Sequence, residues 1–153
     1  MAHLDDIPEP TRTAVRDIPC PNFAIMPFVS GPGLSERKVA IVSSAALIRR
    51  GEKPFDFGSG EYRAVPAAWP TDEILISHVS INFDRAGFQR DINVVYPIDR
   101  LRELAAEGVI GGVTDINYTM MGSTDPAAMV ASADGIAAAL LAEGCNAVVL
   151  APV

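Results

Sequence analysis

Apolar residues fall along this chain in short unbroken runs, separated by polar stretches rich in glycine and proline. The run Val39–Val42 inside KVAIVSSAAL lacks polar alternation, which predicts a strand buried on both faces that emerges from a sheet at Ser43–Ser44. Glu73–His78 (EILISH) predicts a second buried strand. After Asp91–Tyr96, Pro97 and Asp99 open a helix running through Glu107, with Leu101, Leu104 and Ala105 at helical spacing and Gly108 as its stop. The stretch Gly108–Val153 then reads as a strand, a tight turn, a long helix and another strand. In it, Asp125 suits the N-cap and Pro126 the first helical position, where its missing N–H is no loss. Met129, Ala133, Ile136 and Leu140 recur on one helical face, and Gly144 supplies the left-handed end. Ala147–Leu150 again lacks polar alternation, as in a strand covered on both faces. The expected fold is α/β, a mostly parallel sheet flanked by helices in a Rossmann-like three-layer arrangement.

Two segments break the pattern. Residues 1–37 carry prolines at 8, 10, 19, 21, 27 and 32, a density that forbids long regular elements and predicts an arm, with Phe23, Ile25, Met26, Phe28 and Val29 as the apolar surface that docks it. The arm precedes an α/β domain over residues 38–153. Ile48–Pro70 is long for a connection inside a compact domain; it is either functional or a loop anchored by Tyr62 and Trp69.

Composition narrows the partners. At 153 residues with 49% hydrophobic content, the chain fits one domain with a real core rather than a disordered segment. A net charge of −7, with basic residues scattered apart from Arg49–Arg50, argues against nucleic acid. No segment is long and apolar enough to span a bilayer, and the acidic start MAHLDDIPEP lacks the features of a secretory signal, so a cytoplasmic protein is expected. Cys20 and Cys145 form neither a CxxC pair nor a zinc signature, and no metal site is expected.

The candidate chemistry gathers after the predicted strands. His78, Asp84 and Arg85 offer a proton-transfer group, a carboxylate and a guanidinium able to clamp a substrate carboxylate. The alternative is a surface Asp–Arg pair beside a hydrogen-bonded histidine. Ser43 and its neighbour stand where a strand meets a loop, as ligand-facing hydroxyls or as turn residues. Gly122 and Ser123 lie in the turn Met121–Asp125 before the long helix; that positive helix end suits an anion, or is ordinary capping. A nucleotide-binding regulator would rest on this turn alone, which lacks dinucleotide glycine spacing and a P-loop lysine. Since ligands bind outside the carboxyl ends of parallel strands, His78, Asp84 and Arg85 are expected close to the Ser43 and Gly122 turns.

Several segments together resemble the selenoprotein B subunits of the glycine, sarcosine, betaine and D-proline reductases: Val39–Leu47 (VAIVSSAAL), Ser77–Arg85 (SHVSINFDR), Asp91–Leu101 (DINVVYPIDRL) and Ala147–Leu150 (AVVL), with EGVIGG after the third. The resemblance covers the chain from about Lys38 to its end. It implies a subunit, or a truncated form, of a selenol- or thiol-dependent reductase acting in reductive C–N bond cleavage of a small amino-acid-like carboxylate, with dithiol reductants resetting the selenium–sulfur bond. It also implies a pyruvoyl group on a partner reductase subunit, no cofactor in this chain, and assembly into a homo- or hetero-oligomer. In the resembled family the last strand runs into a motif that opens with selenocysteine or cysteine. That residue is expected at position 154, so neither Cys20 nor Cys145 corresponds to it and the C-terminal part of the domain is expected to be missing. The corresponding expectation for the gene is a UGA codon after Val153, with a cysteine codon in frame three positions later. The alternative is a non-catalytic binding or assembly subunit built on the same half-domain.

Overall fold

A computed structural model describes residues 3–17, 28–80 and 85–153. They belong to two compact units, Met1–Ser30 and Gly31–Val153. The first contains helix α1 (Thr11–Arg16), whose Thr13 is held by the Glu9 carboxylate through both its backbone N–H and its hydroxyl. Phe23, Ile25, Met26 and Cys20 lie outside the described residues.

The second unit carries strands β1 (Lys38–Ser43), β2 (Leu47–Arg49), β3 (Tyr62–Pro66) and β4 (Ile74–Ile76), and helices α2 (Ala86–Arg90) and α3 (Ile98–Ala106). Strands β5 (Gly112–Val113) and β6 (Ile116–Met120), helix α4 (Val130–Ala142) and strand β7 (Ala147–Ala151) follow. β1 lies at the centre of the main sheet. On one side it pairs in parallel first with β5 and then with β6, and on the other side along its length with β7. β3 adds an antiparallel strand outside β6. The fold is therefore α/β with a mostly parallel sheet. Strand alternation sorts β1 between two layers: Val39 and Ile41 pack with Ile98 and Leu101 of α3, while Ala40 and Val42 pack with Ile136 and Leu140 of α4.

The break between β5 and β6 is closed by side chains. Asn117, fully buried, accepts the Ile41 backbone N–H at 2.7 Å and donates through Nδ2 to the Tyr96 hydroxyl at 3.0 Å, while Thr114 donates to its Oδ1. Burial pushes the Tyr96 phenol up to about 12, against a smaller opposite effect of the Asn117 hydrogen bond. Thr119 does the same further along β6, accepting from Leu47 N–H and donating to the Ser43 carbonyl, both at 2.9 Å. The bonds to Ile41 N–H, Leu47 N–H and the Ser43 carbonyl satisfy buried backbone groups.

Four expectations are corrected. Glu73–His78 does not enter the parallel sheet: its strand, β4, pairs antiparallel with β2 as a separate ribbon, and Leu75 is exposed. β2, its partner, begins directly after a turn at the end of β1 in which Ala46 adopts a left-handed φ of 55°. Ile48–Pro70 is not all connection, since it contains β3, and Tyr62 anchors it by an edge-on contact with Tyr118. The long helix begins as predicted, with Asp125 accepting from Ala127 N–H, but its first turn is 3₁₀ and Ala133 is exposed. Gly135 replaces Ala133 on the inner face, because only a residue without Cβ lets the Tyr62 ring approach so closely. Finally, β7 is not covered on both faces: Val148 and Leu150 are 45% and 72% exposed.

Candidate functional site

The carboxyl ends of β1, β6 and β7 are tied together by Ser44. Its N–H donates to the Ala151 carbonyl, its carbonyl accepts from Gly122 N–H, and its Oγ accepts from Val153 N–H at 2.8 Å. Ser43, one position earlier, points the other way in the pleat. It is fully buried and its Oγ accepts from Ala45 N–H, so the serine at the sheet edge is Ser44.

His78 reaches this edge from the β2–β4 ribbon rather than from the main sheet. Ser77 N–H donates to the carbonyl of Ala46, the strained residue, which locks the segment after β4 against the turn after β1. His78 is 5% exposed as a residue. Its Nδ1 accepts from Ser80 N–H at 3.2 Å, so the neutral ring carries its proton on Nε2. That nitrogen, Ser44 Oγ and the Val153 carbonyl oxygen converge on Gly122: a Cβ there would lie 3.0, 2.9 and 2.7 Å from them. These three polar atoms close a tightly packed niche at the carboxyl edge of the sheet, which has no room even for a methyl group on Gly122. Burial, and then the Arg85 charge, hold the His78 pKa below its ordinary 6.5. The ring is therefore neutral at pH 7, with Nε2–H as a hydrogen-bond donor.

Arg85 does not face this niche directly. Its Nη2 donates to the His78 carbonyl at 3.1 Å and to the Ser80 carbonyl, bracing the loop that carries the histidine. It also lines an open cleft of about 640 Å³ with Ile76, Phe88 and Asn93. Asp84 lies outside the described residues. Ser123 is exposed at the outer side of its turn. The structure thus brings His78 and Gly122 together, with Ser44 of the Ser43–Ser44 pair beside them and the backbone at Val153 as a neighbour that sequence reasoning passed over. The strand period of two could have singled out Ser44, because Ser43 shares the face of Val39 and Ile41. Among the described residues no cluster of three metal-ligating side chains occurs, and no helix is long and apolar enough to cross a membrane.

Parallel α/β sheets bind ligands outside the carboxyl ends of their strands, and this niche lies at that edge. The family description "Glycine/sarcosine/betaine reductase selenoprotein B" matches residues 70–153, and the chain belongs to that family. It is 32% identical over 120 residues to the D-proline reductase subunit gamma of Acetoanaerobium sticklandii, an overlap of 76% of this chain and 49% of the relative. It is 30% identical over 142 residues to the glycine reductase complex component B subunit gamma of Carboxydothermus hydrogenoformans, covering 88% of this chain and 32% of that protein. The chain therefore spans about half or less of the length of these curated relatives. No solved structure matches it.

Proposed function

We infer that this chain is the portion of a reductase subunit that shapes the reaction site for reductive C–N cleavage of a small amino-acid-like carboxylate. The observation that carries this reading is the convergence of His78 Nε2, Ser44 Oγ and the Val153 carbonyl on Gly122, at the sheet edge where α/β proteins bind ligands. The relatives are named as subunits of D-proline and glycine reductases, which supports the reaction class. In this reading a selenolate or thiolate nucleophile stands directly after Val153, beside the imidazole. A selenol and a thiol together supply two electrons and two protons. The C–N bond breaks, carbon and nitrogen each gain a hydrogen, and a selenium–sulfur bond forms. The Nε2–H of a neutral, buried His78 is suited to donate to charge developing there, a role in which a fixed donor outperforms water. Arg85 acts through the 78–80 loop rather than on substrate.

The test is an NMR titration of the His78 ring with D-proline, glycine, sarcosine and betaine in turn. A saturable shift at His78, lost in His78→Gln, is expected with at least one of them. Absence of any saturable change at the ring with all four would overturn the reading.

A further inference from the structure

We propose that the cleft between β4 and α2 receives a short, extended, acidic segment of a partner polypeptide, which joins the β2–β4 ribbon as a third strand. Three observations carry this. First, the cleft, of about 640 Å³, meets β4 at its edge. Ile74, Leu75 and Ile76 all line it, although consecutive side chains of a strand point to opposite faces, and β2 contributes none of its residues. The cleft therefore runs along the side of β4 that is turned away from β2.

Second, the register leaves that edge unpaired. Arg50 N–H donates to the Glu73 carbonyl and Ser77 N–H to the Ala46 carbonyl. In an antiparallel ladder with Ile48 opposite Leu75, it is then Leu75 that bonds to β2, while Ile74 and Ile76 turn their backbone groups outward. The Ile74 N–H is taken by the Thr71 carbonyl. The Ile74 carbonyl and both the N–H and the carbonyl of Ile76 have no hydrogen-bond partner among the described residues. An extended peptide satisfies this alternation of acceptor, donor and acceptor by adding as a strand. The sequence of β4, ILI, has no charge or proline to protect the edge, and its shortness limits the occupant to a few paired residues.

Third, the walls suit a single chain of negative charge. The other wall comes from Phe88 of α2 and Ile92 of the 3₁₀ turn that follows it, so the open edge faces a slot. A second copy offering its own β4 would bring its own α2 wall to the same side, whereas a single extended segment lies between strand and wall. Asp99 is paired with Arg102. This leaves, among the described residues that line the cleft, three guanidiniums, Arg50, Arg85 and Arg90, against two carboxylates, Asp72 and Asp91. Neither Arg50 nor Arg90 has a carboxylate within ion-pair distance among the described residues. Arg50 reaches only the Asp72 carbonyl, and the Asp91 carboxylate is held by Asn93. On a chain of net charge −7, this local excess of cations selects an acidic occupant, whose carboxylate a guanidinium takes in a two-pronged bond.

This inference rests on the β2–β4 ribbon and not on the chemistry assigned to His78, and it is read by binding rather than by activity. The test selects a random library of linear peptides on the immobilised 153-residue chain and then uses the enriched peptides, synthesised with capped ends, as probes. Enriched sequences are expected to contain Asp or Glu and to bind saturably, with affinity lowered about tenfold or more in Arg90→Glu. The Ile76 amide is expected to exchange its hydrogen ahead of Leu75 in the chain alone and to be protected about tenfold or more by the peptide, with Leu75 little changed. Methylating alternate backbone nitrogens of the peptide should abolish binding in one phase and spare it in the other, since only one edge of an added strand meets β4. A selection that enriches no peptide would overturn the proposal, as would binding that ignores Arg90→Glu or leaves the Ile76 amide unprotected. An Ile76 amide as protected as Leu75 in the monomeric chain alone would show that the edge is not open. Self-association that protects Ile76 would overturn the proposal in favour of a second copy.

Discussion

At the scale of single residues, Gly122 and His78 constrain one another. Adding a methyl group at Gly122 places it inside contact distance of two backbone or hydroxyl oxygens and the imidazole, none of which can swing away freely. Gly122→Ala is expected to cost about 1–3 kcal/mol, the usual range for overpacking, in urea denaturation. Gly33→Ala, with open space around it, is the matched control and should be close to neutral. The histidine adds a pH dependence. Its folded pKa lies below 6.5, so on acidification the unfolded chain takes up the proton first and stability falls as the pH drops below 6.5. His78→Gln should remove that component of the stability–pH curve. Arg85→Ala, by deleting the second cause of the depression, should move the ring's NMR titration midpoint upward. A midpoint that stays put would mean burial alone sets it.

At the scale of elements, the sheet depends on side chains where its ladder is interrupted. Removing the Asn117 amide leaves the buried Ile41 N–H and the Tyr96 hydroxyl without their partner. Asn117→Ala is expected to destabilise by about 2–5 kcal/mol in denaturant titration, and Tyr96→Phe by about 1 kcal/mol. None of this could be read from the sequence, where Asn117 is one polar residue in a strand, because its role is set by contacts with residues distant in the chain. What could be read were the features that local chemistry dictates: the Asp125 cap, the Gly108 and Gly144 ends at φ 73° and 78°, and the buried run of β1. β4 misled because a short apolar run looks alike in a central strand and in a ribbon. What separates them is the pairing of β4 with β2, which follows a left-handed turn at Ala46 that nothing in an alanine announces. The site was legible to the same degree. His78 and Gly122 were found because both follow apolar runs, although His78 arrives from a different sheet, and of the serine pair at the end of β1 the emphasis fell on Ser43 where Ser44 faces the edge.

At the scale of the whole molecule, the two ends of the parallel sheet are chemically distinct, and this bears on which thiol can act. Cys145 is buried just before β7 begins, with its Sγ–H donating to the Ala147 carbonyl at 3.1 Å. The niche around Gly122 lies just after β7 ends, touching Val153. A five-residue strand separates them, roughly 16 Å at about 3.3 Å per residue. No side-chain motion spans that distance, because a thiol must reach its target within contact range to exchange electrons. Cys145→Ala should therefore leave ligand-induced changes at the His78 ring intact while costing some stability as a core substitution. The 153-residue chain on its own is expected to show no dithiol-dependent reductive C–N cleavage, read as ring opening of D-proline or as amine release from glycine, sarcosine or betaine. Turnover by the unaccompanied chain that disappeared in Cys145→Ala would place the reaction at the opposite end of the sheet and remove His78 from it.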